Sequence, residues 1–132
     1  MTQVHYVKDA VAARRRRLID TDGSHNFLHT FSTISASGSE SVVLQQDFPA
    51  SRRYEPLTSC LLTNNSAADL DLHINGRPFG FIPAGVITSI TDQAIWSIKL
   101  VNNDSVAASN PLVRANFSSP PMGADMAARR AV

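Results

Sequence analysis

Residues 69–74 read DLDLHI: Leu70, Leu72 and Ile74 alternate with Asp69, Asp71 and His73. A period of two sends successive side chains to opposite faces of a strand, so this stretch has one dry face and one wet face. Strands of that kind belong to antiparallel sheets folded over a shared core. Parallel strands between helices are apolar on both faces. Residues 94–101, AIWSIKLV, repeat the pattern, with Trp96, Ile98 and Leu100 opposed to Ser97 and Lys99. The alternation predicts that Trp96 points into the core with Ile98 and Leu100.

Working outward, Asn75-Gly76 follows the first strand directly. Both central residues of a tight hairpin turn need positive φ, and this pair is the commonest that supplies it. It predicts a hairpin from Asp69–Ile74 to Phe79–Ile82, with Arg77-Pro78 widening the turn. Six further alternating runs complete a set of eight. Phe27–Ile34 carries Phe27 and Phe31 on one face. Ser41–Phe48 sets Val42, Leu44 and Phe48 against Val43, Gln45 and Asp47. Thr58–Asn64, Val86–Thr91, Ala94–Val101 and Leu112–Phe117 are the others. The expected fold is all-β: a single antiparallel β-sandwich of about eight strands, jelly-roll or Greek-key like. Spacing does not give the strand order.

The ends of the chain read differently. Over residues 3–19, Val4, Val7, Val11 and Leu18 fall near one face at helical spacing, and Ala10, Ala12 and Ala13 favour helix. Arg14-Arg15-Arg16-Arg17 follows; helical residues step about 100° apart, so the four point around the whole helix. Asp20-Thr21-Asp22-Gly23 ends it. Pro120-Pro121 breaks the last strand, and the Ala-rich residues 122–132 read as a short helix or tail. The expected organisation is an N-terminal helical arm over 1–24, a sandwich domain over 25–118 and a C-terminal tail over 119–132.

The 132 residues suffice for one core, and 43% are apolar. A formal charge of +1 gives no overall attraction to nucleic acid or membrane. The one cysteine, Cys60, excludes an internal disulfide framework. It shares a face with Leu62, which makes it a small buried thiol and not a nucleophile. No apolar run reaches transmembrane length and the N-terminus has no signal-peptide core, so a chain folded in a cytoplasm is expected. Three Asn-x-Ser triplets are read as chance for the same reason.

Catalytic signatures are missing: no phosphate-binding glycine loop, no Gly-x-Ser-x-Gly elbow, no Cys-x-x-Cys pair. Asp69, Asp71 and His73 could offer carboxylate and imidazole ligands from one wet face, but nothing supplies the rest of a coordination shell. His25 and His29 sit about 13 Å apart if extended, too far to share a metal. No catalytic residue, cofactor site or metal site is assigned.

Arg14–Arg17 is the one strong charge cluster and suits an acidic surface or phosphate. No aromatic residues interleave with it, which argues against sequence-specific nucleic-acid reading. The candidate partner-binding residues are therefore Val4, Val7, Val11, Arg14, Arg15, Arg16 and Arg17 of the arm. Arg52, Arg53 and Tyr54 of the loop Pro49–Pro56 are a second candidate.

The segment Leu57–Val101 runs LTSCLLTNNSAADLDLHINGRPFGFIPAGVITSITDQAIWSIKLV. A strand ending in Thr-Asn, an Asn-Gly hairpin, an Ile-Pro-Ala-Gly turn and Ala-Ile-Trp-Ser-Ile before an Asn-rich loop give it its character. It resembles small β-sandwich virion proteins of tailed bacteriophages, such as capsid decoration (cement) proteins and tail-associated accessory domains. The resemblance covers about a third of the chain and transfers no functional residue. It implies a structural protein of the virion, assembled in the host cytoplasm and bound to the major capsid protein or another virion protein. It also implies a homo-oligomer, with a trimer as the expected form. No cofactor and no membrane enter this expectation. Fold alone does not separate that role from a carbohydrate- or ligand-binding module for host attachment, or from a jelly-roll enzyme. A row of exposed aromatics would favour the module; a convergent set of carboxylates and histidines would favour the enzyme.

Overall fold

The structure, a computed structural model, describes residues 23–121. The arm residues Val4, Val7, Val11 and Arg14–Arg17, and the tail beyond Pro121, lie outside the described residues. Within them run β1 (Phe27–Thr30), β2 (Ser39–Val43), a helical turn α1 (Leu44–Asp47), a 3-10 helix (Pro49–Tyr54), β3 (Ser59–Asn64) and β4 (Leu70–Ile74). β5 (Arg77–Ile82), β6 (Val86–Ile90), β7 (Ser97–Val101) and β8 (Val113–Ser118) follow. The eight strands form two four-stranded antiparallel sheets, ordered β1-β8-β3-β6 and β2-β7-β4-β5.

Alternation places the core between the sheets. In the first sheet Phe27, Phe117, Cys60 and Ile90 lie in register as one row. In the second, Val42 and Ile74 flank Ile98, and Leu72 faces Leu100. All of these residues are buried in one apolar cluster. Each aliphatic or aromatic side chain removed from water contributes about 1.5–3 kcal/mol, so the shared interior is what holds the sheets face to face. The pattern Leu70, Leu72, Ile74 inward and Asp71, His73 outward is as the sequence requires.

Polar pins fix the corners. Asn75 (φ 54°) and Gly76 (φ 81°) make the expected tight turn between β4 and β5. Asn64, fully buried at the end of β3, donates from Nδ2 to the carbonyls of Ala68 (2.9 Å), Ile82 (3.1 Å) and Pro83 (3.3 Å). Its Oδ1 accepts from the Ser66 N–H at 3.1 Å and the Ser66 hydroxyl at 2.6 Å. Asn102, just after β7, does the same for another loop: Nδ2 donates to Ile34 O (3.0 Å) and Val106 O (2.8 Å), and Oδ1 accepts from Asp104 N–H (3.0 Å). Each carboxamide satisfies loop groups that burial would otherwise leave unpaired.

Three local readings are corrected. Trp96 does not point inward: it is 42% exposed at a bend, while its neighbour Ile95 is buried and bridges to Leu57. The bend comes between Ile95 and Ile98, so the period of two breaks before β7 begins. The run Ser41–Phe48 is not one strand. It stops at Val43, whose N–H donates to Asp47 Oδ2 at 2.8 Å, and Leu44–Asp47 turns helical. Third, β5 begins at Arg77, and the β4–β5 register shifts between Leu72 and His73, with Phe79 as the extra residue.

Candidate attachment surface

The second candidate contact lies beside the root of the first. The 3-10 helix Pro49–Tyr54 has about three residues per turn, so Ser51 and Tyr54 share its buried side and Arg52 and Arg53 face out. Ser51 Oγ donates to Leu44 O at 3.3 Å. The Tyr54 ring packs on Phe27 (6.4 Å between centroids) and meets His25 edge-on at 5.6 Å. The tripeptide Arg52-Arg53-Tyr54 is thus split: two arginines on the surface, and a tyrosine that anchors them in the core.

Both ends of the described chain leave at this place. Ser24 N–H donates to Ser119 O at 2.8 Å, and Gly23 (φ 73°) lies so close to Pro121 that a Cβ there would sit 3.0 Å from its ring. Trp96 belongs to the same end. Its carbonyl accepts from Leu44 N–H at 3.1 Å, and its own N–H donates to Asn75 Oδ1 at 2.7 Å. Among the described residues the one ion pair is His29–Glu40, and no described carboxylate lies within 4.0 Å of Arg52 or Arg53. This end therefore offers two exposed arginines, an indole and both ends of the described chain. Such a surface suits an acidic or mixed polar partner.

The other constellations make contacts within the sandwich. Asp69 Oδ1 accepts from Ala84 N–H at 2.8 Å, Asp71 Oδ2 accepts from Asn103 Nδ2, and His73 stands in register with Lys99. Among the described residues no group of three or more His, Cys, Asp or Glu is placed to hold a metal. Asp104 has its carboxyl pulled below the usual range, first by the N–H of Asp69 and then by that of Ser105. His29 Nε2 donates to the Glu40 carboxylate rather than joining His25. Burial pushes the Cys60 thiol up to about 12, which keeps it protonated and unreactive. No helix of the described residues is long and apolar enough to cross a membrane.

Exposed aromatics are what the sequence reading missed. Phe79 (53%) and Phe81 (63%) stand out on β5, besides Trp96. A signal existed: Phe79 and Phe81 alternate with Ile82, so they cannot share its buried face, and Phe81 stands in register with Asp71 on the outward side. Compared with known proteins, the chain matches no family model and no curated relative.

Proposed function

We propose that the protein is a structural virion protein, a capsid decoration protein that binds an assembled coat lattice as a homo-oligomer. The observation that carries this reading is the convergence at one end of the sandwich. Both ends of the described chain, exposed Arg52 and Arg53, and Trp96 gather there. The strand orders β1-β8-β3-β6 and β2-β7-β4-β5 support a finer reading of the sandwich as a jelly roll, an architecture that recurs in viral shells. Charge-poor faces rich in Ser, Thr and Asn suit wet protein–protein contacts. The arm, with Val4, Val7, Val11 and Arg14–Arg17, is the proposed main contact, and Arg52 and Arg53 are its neighbours on the sandwich.

The test is co-sedimentation with assembled coat shells of the same virus lacking this protein. Saturable binding at a fixed ratio to coat subunits is expected. A protein that stays in the supernatant at every concentration and salt overturns the reading.

One observation favours a second reading, a carbohydrate-binding module of a tail-associated protein: the exposed indole of Trp96, a flat apolar face of the kind that stacks on sugar rings. Host surface glycans that shift and quench Trp96 emission on titration would support it; no change in emission with any of them removes it.

A further inference from the structure

A bare sheet edge presents unpaired N–H and C=O groups to any strand that meets it, and stable monomers usually blunt such edges. The four edge strands here are not alike. β1 is four residues long, and His29 ties it to Glu40. β2 carries Glu40 and runs directly into α1. β5 has Arg77, Pro78 with no N–H, and the irregularity at Phe79. β6 reads Val86-Ile87-Thr88-Ser89-Ile90: no charge, no Pro, no Gly and no bulge, with four of five residues β-branched. Among the described residues it pairs with β3 alone, and no strand lies on its other side.

Its surroundings are apolar as well. On the outward face of the first sheet, Leu28, Asn116, Leu61 and Ser89 form one row, and Thr30, Arg114, Thr63 and Ile87 the next. Leu28, Leu61 and Ile87 are exposed, Ile87 to 62%. One residue in these two rows, Arg114, carries a full charge.

We propose that β6 pairs with β6 of a second copy across a twofold axis at Thr88, joining two sandwiches through one eight-stranded sheet. This deepens, and rests on, the reading of the protein as a homo-oligomer. Antiparallel register about Thr88 sets Val86 of one copy opposite Ile90 of the other, Ile87 opposite Ser89, and Thr88 opposite itself. No charge meets a like charge. The two Ile87 side chains become diagonal neighbours on one face, within reach of each other. A second copy is the occupant because a twofold contact needs a self-complementary strip, which a neutral strand with a central Thr supplies. Closing a threefold ring would instead require β6 to meet a different edge, and each of the other three is blunted. The pairing therefore predicts a dimer in place of the expected trimer. A contact of five paired residues and a few flanking side chains belongs to the small class of specific interfaces, below about 1,200 Å², so the dimer is reversible.

Light scattering after size exclusion on the full chain tests this. Across loading concentrations from about 5 to about 200 µM, mass action should carry the mass from 14.3 kDa toward twice that value. Ile87→Lys, at an exposed position, should hold the protein at the monomer mass while its far-UV spectrum stays that of the wild type. Ser89→Lys, exposed on the same strand, serves if the first variant does not fold. A wild type that stays monomeric throughout, a trimer or open-ended aggregate, or folded lysine variants that dimerise like the wild type overturn the proposal. Co-sedimentation separates it from the functional reading. A monomer that still binds coat shells removes the pairing alone, and a dimer that binds none removes the shell-binding role alone.

Discussion

His29 Nε2 on β1 and Glu40 Oε2 on β2 lie 2.9 Å apart and join the edge of one sheet to the edge of the other. Ser32 N–H adds a bond to the same carboxylate at 3.2 Å, and the His29 ring packs edge-on against Phe31 at 4.7 Å. The pair closes the side of the sandwich opposite β5 and β6, where no other described ion pair spans the two sheets. Both side chains remain about a quarter exposed, so water screens the attraction. Glu40→Gln is expected to cost about 0.5–1 kcal/mol and to lower Tm by a few degrees, read by thermal denaturation. A loss of several kcal/mol would mean that the pair behaves as a fully buried one.

Asn64 should matter far more than its size suggests. Asn64→Ala removes the donors for three loop carbonyls and the acceptor for Ser66 inside a dry corner. The expected cost is about 2–4 kcal/mol, because buried groups are left unpaired, and urea unfolding measures it. Asn64→Asp should not rescue stability, since an ionised carboxylate cannot donate to those carbonyls.

Cys60 gives a pH signature. Its thiol titrates at about 12 in the folded chain against an ordinary 9.0. The folded value is raised, so the neutral thiol's contribution is fully present below about pH 9. It is lost as pH climbs toward 12, because the unfolded chain ionises first. Ellman's reagent at pH 8 is expected to find no accessible thiol in the native protein and one per chain in guanidinium. A fast native reaction would place Cys60 at the surface.

Trp96→Ala is a mild change here, in contrast to the about 3–5 kcal/mol that loss of a core tryptophan costs. With the indole 42% exposed, a loss within about 1 kcal/mol is expected, again by urea unfolding. Wild-type emission should be red-shifted and readily quenched by acrylamide. A blue-shifted, protected signal would contradict the bend before β7.

Attachment is expected to be separable from folding. Deleting residues 1–20 should leave a cooperative β unfolding transition while weakening shell binding. Replacing Arg14–Arg17 by Ser should weaken it too, and the difference from wild type should shrink as salt screens ionic contacts. Arg52→Ser with Arg53→Ser adds a smaller loss if both surfaces touch the shell. Failure of the truncated chain to fold would make residues 1–20 part of the core.

Much of the fold was legible in the sequence because its signals are local. The period of two in DLDLHI set the faces of β4, Asn75-Gly76 set the hairpin, and the position of Cys60 beside Leu62 set its burial. Each depends only on backbone geometry within a few residues. What lay beyond reach depends on partners distant in the chain. Trp96 turns outward because Ile95 bridges to Leu57, and Tyr54 turns inward because a 3-10 helix lays it on Phe27. Whether an alternating strand is central or an edge is decided by what pairs beside it. Phe81, in register with Asp71, and Ile87, in register with Thr63, lie on the outward faces of two edge strands, while Ile82 and Ile90 of the same strands point between the sheets and are buried. The sequence carried the alternation; only the tertiary pairing decided which flanks stay open, because an edge is defined by the neighbour a strand lacks.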